Sequence, residues 1–433
     1  MISAAEIKNH LTNEAVSLQT RLMQMQPFAL TMPMVPAASV SADALNSITE
    51  MLNESHKQLN QNIGKFKSEI IQADPGSFIP QKWQERYTIL KLRFNSILNQ
   101  LDIFADVLSQ RAEHGTGVWV AGLDALAADA LKNGRAYYDI PEIIVFLERG
   151  HGAAIRRAKT RLPGGDTNPV AVIQVPRERM VGSGIASSLI HEVGHQGAEL
   201  LGLISPLKQK MSNLSKSEPD FKEVWSLFEK WMSEIAADFW SVAHLGICAT
   251  HGLMGVVSLP YYFQFRIDGD DPHPAPYLRV MLSCAMGNEL YPHPQWKQIE
   301  DTWEAFYPSS QLDAAKLSLV SKIKSKTRAF ARIIAEFKPE VMKGKKLKEI
   351  FPAADRQPDR LRSYYSAWEK KPEMMNPASP SLVFAVIGQA KADGRITAKA
   401  ESELLTKHLN RWAYWRSYYD CGSAKNKQFK NIQ

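Results

Sequence analysis

Cysteine is nearly missing from this chain. Cys248, Cys284 and Cys421 are the only three, an odd number, widely spaced and without a CxxC pair. A disulfide framework is thereby excluded, and the usage suits a reducing compartment. The opening residues, MISAAEIKNHLTNE, lack a basic start followed by an apolar core of signal-peptide length. Export by the general secretory route is therefore not expected. The expected location is cytoplasmic, with a specialised injection or secretion route, which needs no signal peptide, left open. A large charge excess is also missing: 52 Lys and Arg stand against 45 Asp and Glu, a net +7. The surplus sits in RRAKTR (156–161), KGKKLK (343–348) and the tail KNKQFK (425–430). Each reads as a solvated face, too mild and scattered to indicate nucleic acid. The segment Phe239–Phe265 has no Asp, Glu, Lys or Arg and is the only membrane-span candidate. That stretch holds His244, His251, several glycines and Pro260, which fits a buried enzyme core better than a membrane span.

At 433 residues, the chain is long enough for two or three domains. Residues 1–114 read as a helical region. SADALNSITEMLNESHKQLNQNIGKFKSEIIQ (41–72) begins at a serine cap and repeats apolar residues every three or four positions. Residues 79–114 do the same, with Pro80 near the start and ADPGS as the break before them. These helices carry no visible chemistry and suit a partner-binding or scaffolding hairpin. Residues 115–335 have a different texture. Two short β-like runs, EIIVFL (142–147) and VAVIQVP (170–176), flank a Gly- and Pro-rich loop and precede two strong helices. Residues 336–433 return to helix, ending in a pair over 381–415 joined at Asp393-Gly394. The fold class expected is α+β, predominantly helical, with a small sheet in the central region.

The chemistry concentrates in SGIASSLIHEVGHQGAELLGLISP (183–206). His191 and His195 lie four residues apart on one helical face, so both imidazoles can reach one Zn²⁺. Glu192, beside them, can take a proton from a metal-activated water. Gly184, Ser187, Ser188, Ala198 and Gly202 are small, where a plain core helix carries bulk, which leaves room for a metal, a water and a substrate. Gly194 and Gly197 suggest close approach of another backbone, because glycine costs a helix interior about 1 kcal/mol. Two protein ligands do not complete a catalytic zinc site. Glu199 shares the face, but a third ligand from the same rigid helix completes a tetrahedron poorly. Glu234 and Asp238 lie four apart on the next helix, in EKWMSEIAADFW. Glu234 suits the third ligand, and Asp238 suits a hydrogen bond to a ligand imidazole. His244, about 80° around that helix from Glu234, reads as a core histidine. A cation near the metal helps an oxyanion form, a role open to His273 or Arg279 on the Pro-rich passage that follows. The bland alternative there is a capped turn with a surface arginine.

The order HExxH, then E-x-x-A-D, then H-P-x-x-x-x-R resembles the gluzincin metallopeptidases of the HtpX and CaaX-prenyl-protease type. Here the elements are His191–His195, Glu234–Asp238 and His273–Arg279. The resemblance covers residues 170–285. It implies a zincin-like core with one catalytic Zn²⁺, ligated by His191, His195 and Glu234. It further implies Glu192 as general base, Asp238 behind a ligand, and His273 and Arg279 beside a protein or peptide substrate. VAVIQVP precedes the HExxH helix as the gluzincin edge strand does, which would let it bind an extended peptide by strand addition, with a plain core strand as the equal alternative. The multiple membrane spans of those proteases have no counterpart here, so their membrane substrates do not carry over. The alternatives are a catalytically inactive zincin-fold scaffold, its helical arms binding a protein partner, and a zinc hydrolase of non-peptide substrates. Near the end, Ala392-Asp393-Gly394-Arg395-Ile396 resemble the turn of TerB-like helical domains, with Glu401 one position late. An ordinary helix–turn–helix explains those residues equally well.

Overall fold

The computed structural model describes residues 3–25, 28, 32–113, 115–149, 153–177, 182–267 and 270–430, with side chains as far as residue 418. Asp268 lies outside the described residues, as do the side chains of Cys421 and of 425–430. The chain packs as two compact units: 1–118 with 157–171 and 414–433, and 119–156 with 172–413. Residues 336–413, set apart by composition, thus belong to the same unit as the HExxH helix.

In the smaller unit, three helices pair their apolar stripes: α1 (Ala4–Met23), α2 (Ala42–Gln72) and α3 (Pro80–Ser109). Each starts where local chemistry dictates. Ser3 and Glu6 form a reciprocal capping box, the Ser41 hydroxyl accepts from the Ala44 amide, and Pro80 opens α3. Leu11, Leu18, Ile63, Phe66 and Ile97 meet in one core. The Gly/Pro-rich loop is held by Asp166. Its carboxylate takes both bonds of the Arg93 fork, at 2.9 and 2.7 Å, and a third from Gln100 at 2.7 Å.

The larger unit starts with α4 (Thr116–Lys132) and a small sheet of β1 (Ile143–Glu148), β2 (Ala154–Arg156) and β3 (Ala171–Pro176). The strand order is β1-β3-β2, with β2 antiparallel to β3 and Ile155 opposite Ile173. The expected edge strand is therefore the central one. Three residues, AIR, cover its flank, a segment too short for any periodic signal. A peptide cannot add to β3 where β2 already occupies its hydrogen bonds.

Helices follow in close succession: α5 (Gly184–Leu200), α6 (Ile204–Ser217), α7 (Lys222–Lys230), α8 (Met232–Leu245), α9 (Ile247–Val257), α10 (Tyr261–Gln264), α11 (Pro276–Leu290), α12 (Gln295–Phe306) and α13 (Ala314–Ala335). Next come α14 (Pro358–Lys370), α15 (Pro380–Ala392) and α16 (Ala398–Lys430), the last two turning at Gly394, whose φ is 69°. Glycine adopts that left-handed conformation freely. The second of the two strong helices read from the sequence is itself two, α7 and α8, interrupted at Trp231. Every residue of α8 is buried except Ser233, and the uncharged run beginning at Phe239 is protein core as far as Thr250, beyond which His251, Leu259, Tyr262 and Phe263 are exposed. Among the described residues, no helix is long and apolar enough to cross a membrane.

Small residues on α5 let α8 and α9 approach. A Cβ on Gly194 would stand 2.8 Å from the Ala237 Cα, and one on Gly197 would stand 2.6 Å from the Trp240 ring. Backbone approach is thus realised at Gly194, while an indole fills the space at Gly197. Ser187 does not open room for substrate. Its hydroxyl donates to the Ala249 carbonyl at 2.9 Å, and its Cβ lies where Gly252 leaves space. The half-exposed edge of α5 is Gly184, Ser188, His191 and His195.

Candidate metal centre

Two helices bring the ligand set together. α5 carries His191, Glu192 and His195, and α8 presents Glu234 and Asp238 from its first two turns. The close seating at Gly194 against Ala237 brings those turns face to face. One ligand atom each from His191, His195 and Glu234 lies within 4.8 Å of the others, so the three could hold one metal ion. Glu234 Oε2 stands 3.3 Å from His191 Nε2, and its Oε1 stands 3.5 Å from His195 Nε2. The imidazole planes are nearly perpendicular, at 86°, with centroids 4.9 Å apart. Glu234 Oε2 is buried and has no hydrogen-bond partner. A buried carboxylate oxygen facing imidazole nitrogens that are not aligned to donate to it fits a cation-binding donor set of nitrogen and oxygen.

The outer nitrogens of both histidines are fixed. His191 Nδ1 donates to Asp238 Oδ1 at 2.8 Å, leaving Nε2 free to face the site. His195 Nδ1 lies 3.3 Å from the Ser233 hydroxyl. Such contacts select the tautomer that can ligate. Burial disfavours charge on His191, yet Asp238 and Glu234 lift its pKa to about 9. Burial likewise works against the Glu234 carboxylate, but the close imidazoles of His191, His195 and His273 hold it far below the usual range. Metal binding replaces a proton on such a ring.

Glu192 projects from α5 between the two histidines in sequence and is only 6% exposed. Burial pushes its carboxyl above the ordinary value, against the pull of His191 and His195. Such an environment favours a carboxylate able to accept and return a proton.

His273 and Arg279 reach this centre by different routes. The Asp271 carboxylate accepts from both the His273 amide, at 2.9 Å, and its Nδ1, at 2.8 Å. His273 Nε2 is thereby aimed at Glu234 Oε2, 3.2 Å away, while the ring remains about half exposed. Arg279, in the first turns of α11, grips Asp238 with both ends of its fork, Nε to Oδ2 at 2.7 Å and Nη2 to Oδ1 at 2.8 Å. Its Nε and Nη2 are thus engaged by Asp238 behind His191, the geometry of a positioning residue. The Arg279–Asp238 pair was missed by spacing arguments. A signal was present all the same: a buried aspartate on an apolar helix requires a cation.

Other histidines lie apart from this cluster. His244 is fully buried against Trp240 and Phe351, as expected for core. His408 is 4% exposed and packs on Trp412. Tyr261 donates to the Pro308 carbonyl at 2.8 Å, whereas Tyr262 is 75% exposed. Glu401 is a further residue missed from sequence. Fully buried, it accepts from the amide and hydroxyl of Ser183, at 2.8 and 2.5 Å, and ties α16 to the start of the HExxH helix. Compared with protein-family models, curated proteins and solved structures, the chain has no match.

Proposed function

We propose that this chain is a zinc-dependent peptidase of the gluzincin kind, its core zincin-like over residues 170–285. The observation that supports it best is a buried Glu192, raised in proton affinity, next to His191, His195 and Glu234. When bound there, a divalent metal such as zinc supplies a Lewis acid that acidifies water and polarises a carbonyl. Glu192 takes a proton from the attacking water and returns it to the leaving amine. His273, pinned by Asp271, would turn its Nε2–H from Glu234 Oε2, now 3.2 Å away, to the charge that develops on the carbonyl oxygen. Asp238 and Arg279 hold His191 in its ligating tautomer.

The 3.2 Å approach of His273 to Glu234 favours a second reading. With His273 as a fourth ligand the centre would be closed, as structural zinc sites are, and the chain would be a metal-stabilised interaction protein. The two readings separate on a His273→Ala variant assayed for zinc affinity and for new termini in a whole-proteome digest. The peptidase reading predicts cleavage reduced roughly 10²–10³-fold with zinc retained. Loss of zinc, with no cleavage by the wild type, supports the closed centre.

A further inference from the structure

The larger unit contains a second cavity, of about 430 Å³, none of whose lining residues belongs to the metal centre. Three cations line it, Lys132, Arg135 and Arg356, against two carboxylates, Asp129 and Asp355. Arg356 is the unusual member, being only 2% exposed. Its Nε donates to the His244 carbonyl at 2.6 Å and its Nη2 to the Ser381 hydroxyl at 2.9 Å. Both acceptors are uncharged. The two carboxylates have other partners: Asp129 accepts from the Ser381 amide at 3.0 Å, and Asp355 from the Tyr364 hydroxyl at 2.8 Å. Burial opposes the Arg356 charge more strongly than these acids support it.

A buried guanidinium bonded only to neutral groups is costly, and an anion in the cavity would offset that cost. With Nε and one Nη2 hydrogen already engaged, Nη1 and the second Nη2 hydrogen suit a phosphate oxygen, and Lys132 and Arg135, both exposed, stand at the same cavity to receive further oxygens. The volume is that of a small-molecule site and exceeds what an inorganic ion fills. We propose that this cavity binds a phosphorylated small molecule, its phosphate held by Arg356, Lys132 and Arg135.

The test is calorimetric titration of the full chain at fixed ionic strength with AMP and ribose 5-phosphate, run beside adenosine and ribose. At least one phosphate ester is expected to bind with a sub-millimolar Kd while its unphosphorylated counterpart does not. Because Arg356 is buried and its replacement endangers folding, the variant is Lys132→Ala/Arg135→Ala at the exposed rim. It is expected to melt as the wild type does and to bind the ester roughly tenfold more weakly. Absence of ester binding at millimolar concentration, equal binding of the unphosphorylated partner, or undiminished binding by the rim variant would each overturn the proposal. None of these outcomes depends on whether the metal centre is catalytic.

Discussion

At the scale of single residues, the peptidase reading turns on which group moves a proton and which groups only hold others in place. Glu192→Gln preserves shape and removes the base. It is expected to keep one equivalent of zinc and to lose roughly 10²–10⁴-fold in cleavage rate. Residual cleavage near the wild-type rate, measured on the same substrate, would remove Glu192 from the mechanism. Asp238 and Arg279 are a different case. Asp238→Asn leaves His191 without its anionic acceptor, and zinc affinity should fall about 10–100-fold. Arg279→Ala strands a buried carboxylate, which is expected to lower stability by roughly 3–5 kcal/mol in urea denaturation. The ligands were legible in the sequence because helical spacing puts i and i+4 on one face. The Arg279 fork was not, since helix periodicity says nothing about which residue of another helix will meet Asp238.

At the scale of elements, glycine on α5 sets how near α8 can come. Gly194→Ala brings two opposed effects. Helix propensity gains about 1 kcal/mol, while a Cβ 2.8 Å from the Ala237 Cα forces backbone apart. Overpacking against backbone costs roughly 1–3 kcal/mol, so the clash wins. Thermal melts should show Gly194→Ala destabilised and weaker in zinc binding, because Glu234 retreats with α8. An unchanged melt with unchanged zinc affinity would contradict this. The glycines announced a close approach in sequence, and the approach is there at Ala237. What periodicity could not supply was the identity of the neighbour at Gly197, where Trp240 lies flat in the space. The sheet teaches the same lesson. β1 and β3 are six residues long, mostly apolar and readable, whereas β2 is three residues long and decides by itself that β3 is central.

At the scale of the whole molecule, two buried histidines link stability to pH. Burial, with Arg356 nearby, holds His244 down to about 3, and burial with Arg411 and Lys407 holds His408 down to about 4. Both are depressed below the unfolded value of 6.5. Between those values the unfolded chain binds more protons than the folded one. The contribution of these two groups is therefore fully present above pH about 6.5 and is lost as pH falls, by up to roughly 1.4 kcal/mol per unit for each group. Neither ring nitrogen of His244 has a hydrogen-bond partner. His244→Phe should thus be neutral or stabilising at pH 7 and should flatten the acid limb of the stability profile. A His244→Phe profile as steep as the wild type's between pH 6.5 and 4 would contradict that assignment.

The central claim is that His191, His195 and Glu234 together hold one metal ion. Mass-spectrometric metal analysis after zinc reconstitution and desalting tests it most directly, with wild type, Glu192→Gln, His195→Ala and Glu234→Ala side by side. The account predicts one zinc per chain in the first two and a loss of bound zinc in the last two. Zinc bound equally by all four proteins, or by none, would contradict it.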